Sequence, residues 1–249
     1  MNPSKISFVY RDIADHNIWR PIRLIIVETA EDNNWPFSKT IAHLFDLEIE
    51  IRRQNRVALC YRQSKLNEKL TIDQFDFNHH SSRKKQKTRI LNLMSLGFLK
   101  KKMDIILIGN PGFRKSFLAK AAAYAATQAG IKVLFTTAMD MINHLIAADA
   151  DHSLLKKLHY YQSPELLVID EIGYLGLGKQ GSNLFFQVIS QRHETKSTAI
   201  TTNLPFADWG KIFDSTTVAT AIADRLVYNS QIFILEGPSY RKRTMTNNI

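Results

Sequence analysis

The sequence predicts an α/β protein whose main body is a parallel sheet of five strands, preceded by a smaller helical region. Three observations predict it. From Met103 onward, five short apolar runs alternate with segments of helical periodicity; a glycine-bearing turn joins the first run to the first helix; and the charge balance changes near the same place. Near-continuous apolar runs suit strands covered on both faces, and the intervening helices supply the crossovers that parallel pairing needs.

The runs are "MDIILI" (Met103–Ile108), "IKVLFTT" (Ile131–Thr137), "ELLVID" (Glu165–Asp170), "STAITT" (Ser197–Thr202) and "QIFILE" (Gln231–Glu236). Lys115–Ala129 is rich in alanine and is followed by Gly130, the arrangement of a helix and its C-terminal glycine. Ser182 is expected to cap a helix that carries Leu184, Phe185, Val188 and Ile189 on one stripe. Before Met103 the pattern differs. His43–Leu66 sets Leu44, Leu47, Ile51, Val57 and Leu59 among clustered arginines, and reads as one or two amphipathic helices with a cationic face. The expected division is therefore an unassigned segment 1–36, a helical basic region 37–80, a basic linker and first core helix 81–102, and a core 103–249.

Of 249 residues, 45% are hydrophobic and 22% charged, enough apolar material for a sizeable core and too little net polarity for a disordered chain. The net charge of +10 is uneven. Residues 1–102 hold 19 Lys+Arg against 11 Asp+Glu, whereas residues 103–249 hold 14 against 12. A basic front half points to an anionic partner, nucleic acid foremost; a solvated helix face is the alternative for each basic run taken alone. The single cysteine, Cys60, excludes an internal disulfide framework and a cysteine metal cluster. No leader pattern opens the chain and its apolar runs are too short to span a bilayer, so the expectation is a cytoplasmic protein without a membrane partner.

The turn after the first run, "LIGNPGFRKSF" (Leu107–Phe117), nearly follows the phosphate-binding pattern G-x-x-x-x-G-K-[ST]. Gly109, Lys115 and Ser116 stand at the required spacing, and Arg114 replaces the second glycine. Between a strand and a helix, the loop Gly109, Asn110, Pro111, Gly112, Phe113 and Arg114 would surround phosphates with backbone groups and a helix N-terminus. Lys115 would reach the outer phosphates, and the Ser116 hydroxyl would ligate Mg²⁺. "LLVIDEIGY" (Leu166–Tyr174) ends a strand in Asp170 and Glu171. Asp170 suits a Mg²⁺ contact and Glu171 suits polarising an attacking water; the alternative is an ordinary acidic pair at a helix start. "AITTNLPF" (Ala199–Phe206) ends the next strand in Asn203, which suits holding that water, or merely opening the turn before Pro205. Arg225, in "TAIADRLVY", is by itself an unremarkable surface arginine.

Taken with "VLFTTAMDM", "TTNLPFADWGKIF", "ADRLVY", "EGPSYRKR" and the link "TIDQFDFN" (Thr71–Asn78), these stretches resemble the IstB-like ATP-binding proteins. Those are helper ATPases of insertion-sequence transposition, related to the helicase loader DnaC within the AAA+ class. The resemblance runs from roughly Phe37 to Arg243. It implies a P-loop AAA+ core with strand order 5-1-4-3-2, ATP and Mg²⁺ as ligands, and a homo-oligomer that assembles on duplex DNA beside a transposase. It makes Gly109, Gly112, Lys115 and Ser116 the P-loop, Asp170 and Glu171 Walker B, Asn203 sensor 1, and Arg225 the arginine finger for a neighbouring subunit. Arg241 matches a second sensor only loosely and is not counted among the site residues.

Here the family pattern runs G-x-P-G-T-G-K-[TS], so Phe113 and Arg114 stand for Thr and Gly. Holding a residue with a β-carbon in a sparsely populated conformation costs about 1–3 kcal/mol, a loss of roughly 5- to 150-fold in affinity. A guanidinium that itself binds phosphate would recover part of it. Two rivals follow: a helicase loader acting on a replicative helicase, and a non-hydrolysing DNA-binding scaffold. A small GTPase fits poorly, because "TTNL" is not the N-K-x-D string that reads guanine.

Overall fold

The computed structural model describes residues 19–236. The chain divides into two compact units, Met1–Leu59 and Cys60–Ile249. In the first, helix α1 (Trp19–Asp32) ends at Asn33 and Asn34, the latter left-handed at φ 50°, and α2 (Phe37–Gln63) begins just beyond. Trp35 between them meets the His43 ring edge-on at 5.4 Å, with Lys39 4.5 Å above its own ring. Helix α1 lies in the segment that the sequence left unassigned. Of its described side chains, Ile26 and Ala30 are buried, whereas Ile25 and Val27 are 40% and 41% exposed. The arginine-rich stretch forms the single long helix α2. Arg52 and Arg53 are exposed there and pair with Glu48 and Glu50 of the same helix at 2.7 and 3.0 Å, so part of the cationic character expected of that face is met within the helix. Such exposed pairs contribute little to stability.

In the second unit, two 3₁₀ turns (Ile72–Gln74, Phe77–His79) and three short helices, α3 (Ser81–Lys85), α4 (Lys87–Met94) and α5 (Gly97–Lys100), lead into the sheet. The strands are β1 (Asp104–Ile108), β2 (Val133–Thr137), β3 (Leu166–Ile172), β4 (Ser197–Thr202) and β5 (Ser230–Ile234). All are parallel and lie in the order β2-β3-β4-β1-β5, which is the order the family resemblance implies. Between them run α6 (Lys115–Gln128), α7 (Ala138–Ala150), α8 (Leu154–Gln162), α9 (Gly178–Arg192) and α10 (Thr216–Tyr228).

Alternate strand residues face opposite ways. Ile106, Leu167, Ile169 and Ile200 enter a core with side chains of α7, α8, α9 and α10. Ile105, Leu107, Val168 and Ala199 enter a second core with α4 and α6. Both faces being covered explains why the strands read as unbroken apolar runs. The edges are covered too. Phe135 N–H on β2 donates to the Ser64 carbonyl at 2.8 Å; on β5 the carbonyls of Ile232 and Ile234 accept from Arg89 and Gln86, and that of Glu236, just beyond it, accepts from Ser82.

One capping expectation fails. Helix α9 begins at Gly178, so Ser182 lies inside it, buried, with its Oγ accepting from Asp214 N–H at 3.0 Å. A serine hydroxyl serves a loop N–H as well as a helix N-terminus, and the fold uses it for the loop before α10. The stripe Leu184, Phe185, Val188 and Ile189 is buried as expected.

Candidate functional site

The site forms at the C-terminal ends of β1, β3 and β4, the usual ligand crevice of an open parallel sheet. The chain leaves β1 at Gly109, where an added β-carbon would stand 2.3 Å from the Leu235 carbonyl, so only glycine fits beside the chain leaving β5. Gly112 turns with φ 89°, and Arg114 sits left-handed at φ 60°, ψ 31° as the residue preceding α6. This is the conformation the missing glycine would adopt freely. For an L-residue it costs roughly 1–2 kcal/mol, the lower part of the expected range.

Lys115 is buried, and its Nζ donates to the carbonyls of Gly109 at 2.7 Å and Asn110 at 3.1 Å. Ser116 Oγ donates to Asp170 Oδ1 at 2.9 Å. The same carboxylate oxygen accepts from Thr201 Oγ1, whose oxygen in turn takes the Glu171 N–H at 3.0 Å. Asp170 is 5% exposed; Glu171 is exposed. The difference arises from a break in the β3–β4 register between Ile169 and Ile172, with Glu171 at φ 65°. A bulge of this kind re-aims a side chain, and here it frees Glu171 from the sheet. Gly173, at φ 108°, lets Asn203 approach: an added β-carbon would lie 2.7 Å from Asn203 Oδ1. That oxygen is buried and has no hydrogen-bond partner.

Pro111, Gly112, Arg114, Lys115, Ser116, Glu171 and Asn203 thus line one cleft of about 350 Å³, with Gly109 and Asn110 joined to it through Lys115. Asp170 stands beneath it and, with Glu171, borders a larger neighbouring cleft of about 710 Å³ that Lys120 also lines. Phe113 contributes backbone alone, its ring being 4% exposed in the core. The Arg114 guanidinium lies 4.2 Å over the Phe117 ring at the cleft wall. Arg225 is not brought to the cleft. On α10 it donates to Ala221 O at 2.8 Å and stacks 4.6 Å over Phe186. Arg241 lies outside the described residues. Sequence reasoning missed Thr201 and Gly173; their signal was the paired threonines of "AITTN" and the glycine after the acidic pair.

The donor set suits the groups implied. Lys115 holds backbone carbonyls that phosphate oxygens would replace, Asn203 Oδ1 is an unspent acceptor, and Ser116 with Asp170 offers hard oxygen ligands of the kind Mg²⁺ takes.

A parallel sheet in this order, with such a loop between β1 and α6 and an acidic pair at the tip of β3, defines a P-loop protein of the AAA+ class. Solved structures agree. DnaA from Aquifex aeolicus, bound to AMPPCP, is similar over 74% of this chain and 56% of that one, with a TM-score of 0.59 and 16% identity. The DnaC helicase loader is similar over 67% of this chain and 96% of its own, with a TM-score of 0.57 and 21% identity. At these identities the likeness is one of fold. The chain belongs to the IstB-like ATP binding protein family, whose model matches residues 24–248. It is 37% identical to the protein named for ATP binding in insertion sequence IS5376 of Geobacillus stearothermophilus, over 88% of this chain and 86% of that one. To the corresponding protein of IS21 from Pseudomonas aeruginosa it is 32% identical, over 87% and 81%. Among the described residues no helix is long and apolar enough to cross a membrane.

Proposed function

We propose that the chain binds ATP with Mg²⁺, hydrolyses it to ADP and phosphate, and assembles on duplex DNA to regulate the transposase of an insertion sequence. The observation that carries the reading is the convergence of Lys115, Ser116, Glu171 and Asn203 on one cleft, with Asp170 bonded to Ser116 beneath it, in a chain of this family. In it the loop 109–114 and Lys115 hold the phosphates, and Ser116 and Asp170 hold Mg²⁺. The metal supplies charge neutralisation at the phosphates. Glu171 orients a water and takes its proton, and Asn203 keeps that water in line. Arg225 serves a neighbouring copy, because nothing places it near its own cleft. A finger of this kind raises turnover by about 10³–10⁵ in well-studied P-loop enzymes.

The test is ATP binding and phosphate release by the purified chain, with and without duplex DNA. Saturable binding and DNA-stimulated, concentration-dependent turnover are expected. Arg225→Ala should remove the stimulation, and mixing it with Lys115→Ala should restore part of it. Absence of ATP binding at millimolar concentration would sink the reading. A second reading, the DNA-binding scaffold, draws on Arg114 at the glycine position; it predicts ATP-independent DNA binding and no turnover.

A further inference from the structure

In the basic run "SSRKKQKTR", Lys84, Lys85, Lys87 and Arg89 are exposed, but Arg83 is fully buried. Removing a guanidinium from water is costly unless its donors are met. Of the Arg83 donors, Nη1 goes to the Asp76 carbonyl at 3.2 Å and Nη2 to the Phe113 carbonyl at 3.3 Å, and its Cζ lies 4.9 Å over the Phe75 ring. Phe75, itself 3% exposed, packs 5.8 Å from Phe117, the ring that carries the Arg114 guanidinium. The linker therefore grips the loop twice: at the peptide entering Arg114, and at the ring beneath the Arg114 side chain.

The peptide matters because it is planar and trans. With the Phe113 carbonyl held by Arg83, the Arg114 N–H must point the opposite way. Its orientation is one of the choices that separate the left-handed turn at Arg114 from the unstrained alternatives. We propose that Arg83 is a positioning residue of the phosphate-binding loop, a clamp from the linker that holds the left-handed turn where this chain lacks the glycine. The clamp makes loop order depend on the linker segment 71–83, and its effect on ATP rests on the ATP-binding reading.

Amide hydrogen exchange on the full chain without nucleotide tests the clamp apart from that reading. Arg83→Gln should speed exchange in peptides covering 109–117 by about tenfold or more while leaving β4 protected. Arg83→Lys, a milder change that retains a cation, should give an intermediate effect and serves if the glutamine variant does not fold. ATP binding then reads the consequence. Arg83→Gln should weaken it about tenfold in the natural sequence and less than about threefold in an Arg114→Gly background, since glycine takes the turn unaided. Equal losses in both backgrounds, or unchanged exchange at 109–117, would overturn the clamp. A chain that binds no ATP but shows the faster exchange overturns the ATP reading and leaves the clamp standing.

Discussion

The two ends of the sheet bury comparable charge and use it in opposite ways. At the N-terminal end, Arg192 closes α9, buried, and donates to the carbonyls of Tyr161, Gln162, Pro164 and Ser197 and to Thr198 Oγ1. It thereby meets the carbonyls at the C-terminus of α8, where a cation is favourable. Asp104 beside it accepts Thr198 N–H at 2.6 Å. These charges are spent on the protein, and among the described residues the hydroxyls of Ser190 and Ser197, close to Arg192 and Thr198 in the chain, are buried polar atoms left over. At the C-terminal end, Lys115 rests on loop carbonyls, Asn203 Oδ1 has no partner, and Glu171 is held in a strained conformation with its carboxylate exposed. A buried charge by itself does not mark a site. Hydrogen-bonding capacity turned towards a cleft does.

If the N-terminal network is structural, its loss should appear in stability and nowhere else. Arg192→Met strands four carbonyls, and should cost about 3–5 kcal/mol in urea unfolding, the scale of breaking a buried charged network. Nucleotide affinity per folded molecule should be unchanged. A cost below about 1 kcal/mol would mean that water reaches this end and that the two ends differ less than they look.

Asp104 sharpens the same contrast through pH. Burial pushes its carboxyl up to about 7, against the opposing pull of the Thr198 N–H and the charge of Arg192. In the unfolded chain it loses its proton near pH 4, so between pH 4 and about 7 the native state holds the extra proton and stability must fall as pH rises. The fall should total roughly 2–4 kcal/mol and level off above pH 7. Asp104→Asn, which still offers an oxygen to Thr198 N–H, should lack that slope. Parallel pH profiles for the two proteins would show that Arg192 keeps Asp104 ionised.

The open end should respond in activity instead. Glu171→Gln keeps the bulge and the cleft, and should leave ATP binding within a few-fold while phosphate release falls by about 10²-fold or more. Unfolding midpoints should coincide with those of the natural chain. Equal turnover would remove Glu171 from the chemistry and leave its backbone strain without a functional account.

Which parts of this contrast were legible in the sequence follows from how local they are. The five strands and the phosphate loop were, because a strand buried on both faces is one apolar run and the loop is one contiguous motif. Strand order came through family resemblance, since periodicity says nothing of which parallel strands are neighbours. The bulge at Glu171 was hidden, being a register shift between β3 and β4 that only pairing reveals. Arg83 and Arg192 were hidden for a related reason. Each stands among polar neighbours in the sequence, and each is buried only because distant carbonyls meet it. Ser182 misled because a serine before an apolar stripe looks alike whether it caps the helix or serves a loop.

Arg114 is where the two uses of charge meet: a cation at the open end whose guanidinium is turned onto an aromatic ring. At φ 60°, ψ 31° it occupies the left-handed well, which an L-residue enters at roughly 1–2 kcal/mol and glycine at no steric cost. Glycine also loses more freedom on folding, by about 0.5–1 kcal/mol, so the two effects partly cancel in overall stability. They do not cancel in binding if the loop samples other conformations before ATP arrives, because relief of strain then favours the competent state. Arg114→Gly should therefore tighten ATP binding by about tenfold, or 1.4 kcal/mol, with stability changed by less than about 1 kcal/mol. Titration of a fluorescent ATP analogue against both chains, at two salt concentrations, measures it. A guanidinium acting on phosphate gives the reverse result: weaker binding for the glycine chain, and a loss that shrinks as salt screens the charge. That outcome would make Arg114 a phosphate ligand in its own right, with its stacking on Phe117 a resting position.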